Sequence, residues 1–149
     1  MVRALDAARL NKEDGFSKTI TIPNASVLTM STVGYTLLSA PTNTQYVIYI
    51  IELLARITTG TGYTSLHDMT VAYGAPLSQG VTICTVPGTG FLDQATPVGV
   101  FASFNGTSSK GTIITDSSGA ISILAGTGDP TTGTSPMTVK VKYKIHRIP

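Results

Sequence analysis

Three features of this sequence predict an all-β fold, an antiparallel two-sheet sandwich of jelly-roll type behind a short N-terminal arm. From Ser17 onward apolar residues alternate with Thr, Ser and Lys at period two, the spacing that sends successive side chains to opposite faces of a strand. The 15 Gly and 8 Pro punctuate short runs rich in Val, Ile, Tyr and Thr. Charge is scarce: Asp, Glu, Lys and Arg make up 12% of the chain, against about 25% in a typical soluble domain. Between Thr19 and Val139 the only charged side chains are Glu52, Arg56, Asp68, Asp93, Lys110, Asp116 and Asp129. An exterior with so little charge is built from hydroxyls and amides or is covered by other chains.

The order of elements follows from the same rules. Residues 3–13 carry Ala4, Leu5, Ala7, Ala8 and Leu10, with Arg9 and Glu13 four apart and Gly15 to stop the turn, so this stretch predicts the one α-helix. A helix of about eleven residues is marginal alone in water, and residues 1–16 are read as an arm that docks or frays. Residues 17–149 form the sandwich, with strands predicted near 17–22, 26–31, 34–39, 45–57, 69–74, 81–86, 97–104, 111–115, 119–124 and 137–147. Pro23, Gly34, Pro41, Gly74, Pro87, Gly106 and Gly119 fall between them or at their ends, where unusual φ or a missing N–H is tolerated. Asn105-Gly106 predicts a tight type I′ hairpin turn. The three Gly-Thr-Gly tripeptides at 60–62, 88–90 and 126–128 have unlike flanks and read as turn chemistry, not as a repeat. Ten strands without an internal helix are most economically arranged as two packed sheets, and a jelly roll or related Greek key manages their edges.

Two strands bear on function. In Tyr46–Ile57 a regular strand would put Val47, Tyr49, Ile51, Leu53, Ala55 and Ile57 on one apolar face. The other face would then carry Glu52 and Arg56 among Ile48, Ile50 and Leu54, and these three apolar residues become the candidate self-association surface. In the last strand Met137, Val139, Val141, Tyr143 and Ile145 point one way, and Thr138, Lys140, Lys142, Lys144 and His146 the other. Lys140, Lys142, Lys144 and Arg147 concentrate positive charge here, since residues 1–136 hold six Lys and Arg against eight Asp and Glu. The leading reading of this stripe is Lys on the outer face of an edge strand, which blocks edge-to-edge aggregation. A contact with an acidic subunit comes second. Nucleic acid is least supported, because on the outer face no aromatic residues interleave with the lysines to stack on bases.

Catalytic and ligand chemistry is not expected. Ser65, His67 and Asp68 are adjacent in sequence, whereas triad members are brought together by a fold, so they read as a polar loop. Gly106-Thr-Ser-Ser-Lys-Gly111-Thr112 lacks the Lys that should follow the second Gly of a phosphate loop. Cys84, the single cysteine, can form no intrachain disulfide and reads as a small buried thiol. No Cys/His spacing suggests a metal, and no cofactor is implied. The first ten residues lack the apolar run of a secretory signal, because Asp6 and Arg9 interrupt it; two Asn-X-Ser/Thr acceptors, at Asn24 and Asn105, therefore carry little weight. The most hydrophobic stretch, Tyr46–Ile57, contains Glu52 and Arg56 and is far short of the ~20 residues of a membrane-spanning helix, and no membrane association is expected.

Tyr35-Thr-Leu-Leu-Ser-Ala-Pro41, the long apolar strand after it, Thr61-Gly-Tyr-Thr64 and Met69-Thr-Val-Ala-Tyr-Gly74 together resemble the small β-sandwich structural proteins of tailed bacteriophages. The resemblance covers roughly residues 19–75. It implies a virion component assembled in the host cytoplasm, foremost a capsid decoration or cement protein that binds the major capsid protein as a symmetric oligomer, often a trimer. Arg3, Arg9 and Lys12 of the arm, with Lys140, Lys142, Lys144 and Arg147, are the candidate partner-binding residues. A tail, baseplate or fibre adaptor is the runner-up within virions. A carbohydrate-binding module is a further class, thinly supported by a chain with no Trp and six Tyr.

Overall fold

The computed structural model describes residues 15–42, 46–103 and 119–147. The predicted arm helix, the Asn105-Gly106 hairpin and the predicted strand at 111–115 lie outside the described residues. Within them run eight strands: β1 (Phe16–Ile22), β2 (Tyr35–Leu38), β3 (Tyr46–Ile57), β4 (Met69–Tyr73), β5 (Thr82–Val86), β6 (Val98–Ser103), β7 (Ile121–Ala125) and β8 (Met137–Arg147). They form two antiparallel four-stranded sheets, sheet I in the order β1-β8-β3-β6 and sheet II in the order β2-β7-β4-β5.

This order has a simple generator. β1 pairs with β8, β2 with β7, β3 with β6 and β4 with β5, so the strands fold back on one another as one long hairpin closed between Tyr73 and Thr82. Rolling that hairpin brings β3 beside β8 and β4 beside β7, which is the topology of a jelly roll. The closure is held by Tyr73 N–H donating to Val81 O (3.0 Å) and Gly80 N–H to Tyr73 O (2.7 Å). The Gln79 amide then donates to Thr70 O (3.2 Å) and Ser122 O (2.9 Å), fixing the loop across β4 and β7.

The inner faces meet in one core. Ile22, Ile50, Leu53, Ile57, Met137, Val139 and Val141 of sheet I pack toward Leu37, Met69, Val71, Ile121 and Ile123 of sheet II, all of them buried. Among the described residues, polar links across the sandwich include Tyr73 Oη donating to Ile48 O (3.0 Å) and Lys18 Nζ donating to Leu37 O (3.4 Å). Burial in this wall pushes the Tyr73 phenol up to about 12, with Tyr49 adding to the shift.

Three expectations are corrected. The strand predicted at 26–31 is instead a short helix, α1 (Asn24–Val27), continued by turns to Val33. Pro23 O accepts from Ser26 and Val27 N–H, and Val27 and Met30, three apart, are both fully buried; that is helical spacing, which outweighs the β-propensity of the run. Next, β8 is an interior strand flanked by β1 and β3, so its lysines do not guard an edge.

The third correction concerns β3. Its pairing with β8 shifts between Ile50 and Glu52: Ile50 faces Tyr143, Glu52 faces Lys142, and Ile51 is the extra residue of a β-bulge. One inserted residue reverses the facing of everything on one side of it. Leu53, Ala55 and Ile57 point inward as the period predicts, but N-terminal to the bulge it is Ile48 and Ile50 that are buried, at 4% and 2% exposure. They belong to the core and not to a self-association surface.

Candidate functional site

The outer face of sheet I gathers most of the candidate residues within the described segments. Cross-strand register places them in two rows. In the first, Thr19 of β1, Lys140 of β8, Leu54 of β3 and Phe101 of β6 stand side by side; in the second, Ser17, Lys142 and Glu52 do. Adjacent strands lie about 4.8 Å apart, so the first row runs roughly 14 Å across the sheet. Between the rows is an open depression of about 370 Å³ lined by Ser17, Glu52, Leu54, Phe101, Lys140 and Lys142. Phe101 is 62% exposed and Leu54 37%, both large apolar side chains facing outward.

The lysines reach this face because β8 alternates strictly: Met137, Val139 and Val141 enter the core while Lys140 stays exposed and Lys142 and Lys144 are half-buried. Further along, His146 meets Tyr49 edge-on, with ring centroids 6.3 Å apart. Arg147 ends β8 opposite Tyr46. Of the self-association set, only Leu54 lies on this outer face. Arg3, Arg9 and Lys12 lie outside the described residues.

Phe101 was missed by the sequence reading, and so was the placement of Glu52 and Ser17 beside the lysines. For Phe101 a signal existed: in Val98-Gly-Val-Phe-Ala, the partly buried Val98 and Val100 alternate with exposed Gly99 and Phe101. Nothing in the sequence paired Ser17 or Glu52 with Lys142, because that register joins residues far apart in the chain.

In the polar loop at 65–68 the three side chains find separate partners. The Ser65 hydroxyl accepts from Thr131 Oγ1 (3.3 Å), His67 Nδ1 faces Thr127 Oγ1 (3.4 Å), and Asp68 Oδ1 accepts from Gly88 N–H (3.0 Å). Each side chain ties 65–68 to a different neighbour, and together they knit one end of the sandwich. Tyr63 anchors that end: its ring is buried, its hydroxyl donates to Ser135 O, and burial raises its pKa to about 12. Cys84, on β5, is half-buried against the core, and burial pushes its thiol up to about 11, away from the reactive thiolate. Among the described residues no group of three or more His, Cys, Asp or Glu is placed to hold a metal ion, and no helix is long and apolar enough to cross a membrane.

Comparison with protein-family profiles, curated proteins and solved structures found no match.

Proposed function

We propose that the chain is a non-enzymatic structural subunit of a tailed-bacteriophage virion, a decoration or cement protein on the outside of the capsid. It contacts the major capsid protein through the outer face of sheet I and self-associates as a symmetric oligomer, a trimer. One observation carries this reading: a four-stranded sheet presents exposed Phe101 and Leu54 beside the β8 lysines. Aromatic and aliphatic side chains within a polar rim are the make-up of a protein-binding surface. The scarcity of charge elsewhere agrees with a chain that is covered by copies of itself and by a shell. The resemblance over residues 19–75 supplies the virion context, since a jelly roll by itself serves many functions.

Copy number tests the proposal. Quantitative mass spectrometry of purified particles is expected to find hundreds of copies, and sedimentation of the free chain a symmetric oligomer. A handful of copies would move the chain to the tail, baseplate or fibre. A monomer at high concentration that fails to bind capsids would end the shell reading altogether.

A further inference from the structure

The depression on the outer face of sheet I has an uneven chemistry that specifies more than a generic contact. Its first row runs from an ammonium at Lys140 to two apolar side chains, Leu54 and Phe101. Lys140 and Lys142, two apart on β8, leave this face positive, and Glu52, directly opposite Lys142, offsets only part of that charge. Lysine stems lie along apolar surface and hold their ammonium at its rim, so the site joins a cationic rim to an apolar floor.

We infer that this depression receives an extended acidic segment of a partner protein, with a carboxylate over Lys140 and an apolar side chain over Leu54 and Phe101. The inference rests on the reading of this face as the docking face. Spacing supports it: Leu54 and Phe101 lie about 5 and 10 Å from Lys140 across the strands, and residues i and i+2 of an extended chain are about 7 Å apart on one side. A segment crossing the strands thus places an acidic residue at i and an apolar one at i+2. Charge complementarity selects the sign of the first, and the exposed ring of Phe101 selects the character of the second. A nucleic-acid strand fits less well, because Glu52 beside Lys142 repels a run of phosphates, whereas a segment with one carboxylate can set it over Lys140 alone.

The test uses the full chain, isotope-labelled, titrated with the peptide acetyl-Ser-Glu-Ser-Phe-Ser-amide and followed by amide chemical shifts. Shifts are expected at residues around Ser17, Glu52, Leu54, Phe101, Lys140 and Lys142. Replacing the peptide Glu by Gln, or its Phe by Ser, is expected to weaken binding roughly tenfold, as are the exposed-site variants Lys140→Glu and Phe101→Ser. Shifts that map elsewhere, no binding at millimolar peptide, indifference to the Glu-to-Gln change, or tighter binding of a single-stranded oligonucleotide would overturn the inference. A particle-binding assay separates it from the reading it rests on. If wild-type chain labels particles and Lys140→Glu/Phe101→Ser chain labels them equally, the docking inference fails while the shell reading stands. If the peptide binds as described but wild-type chain labels no particle, the shell reading fails and the docking inference stands.

Discussion

Gly133 sits against the buried ring of Tyr63 so closely that a Cβ placed there would lie 2.1 Å from Tyr63 Cδ1. An alanine cannot be accommodated without moving the ring, and the ring is held by its hydroxyl on Ser135 O. Gly133→Ala is expected to lower stability by about 1–3 kcal/mol, read as a shift in denaturant midpoint; a midpoint unchanged from wild type would show that the ring is not fixed. Asp129 works at the same scale through charge. Its carboxylate accepts from the Thr32 hydroxyl and from the N–H groups of Ser31 and Thr32, tying the 126–130 loop to the turns after α1. The Thr32 hydroxyl is the main cause that holds this carboxyl below its ordinary value, the two N–H groups add to it, and desolvation opposes them. A carboxyl whose folded pKa is depressed contributes stability that is fully present above its unfolded value, about 3.9. That contribution fades as pH falls through the lower folded value. The stability gap between wild type and Asp129→Asn is therefore expected to be constant from about pH 5 to 7 and to shrink below the unfolded value. A gap that stays level into strong acid would rule the mechanism out.

At the scale of elements, the bulge at Ile51 makes the sharpest prediction, because it gives Ile50 and Leu54 opposite fates where a regular strand gives them the same one. Ile50→Lys buries an unpaired ammonium in the core and is expected to cost at least about 3 kcal/mol or to prevent folding. Leu54→Lys is expected to change stability by less than about 1 kcal/mol; comparable losses at both sites, measured by thermal or chemical unfolding, would contradict the bulge. The same element shows what the sequence conveys and what it conceals. Alternation in β8 was legible residue by residue, since Met137, Val139 and Val141 follow one period without interruption. In β3 both faces are mostly apolar, so a slip of one residue leaves almost no trace in the pattern, and only the register against β8 exposes it. α1 was illegible for a related reason: over so few residues the buried pair Val27 and Met30 does not distinguish a helical turn from a strand. Of the candidate site, the lysines were legible. Their neighbours Ser17, Glu52 and Phe101 arrive from three other strands and were not.

For the whole molecule, the pairing of first strand with last sets the position of the candidate site. Because β1 closes against β8, the lysine row is carried to the middle of sheet I, between a hydroxyl strand and the strands bearing Leu54 and Phe101. A basic stripe at an edge would chiefly discourage aggregation; the same stripe inside a sheet, beside exposed apolar groups, makes a surface that a partner can cover. The low charge of the chain takes its meaning from this arrangement, with the proposed docking face on sheet I and the core closed by Ile48 and Ile50. The most direct test is a cryo-electron microscopy reconstruction of particles that carry the chain. The account predicts the chain on the outside of the shell, clustered about symmetry axes, with the outer face of sheet I against the major capsid protein. Density for the chain at the tail, or on the shell with Lys140 and Phe101 turned to solvent, would contradict it.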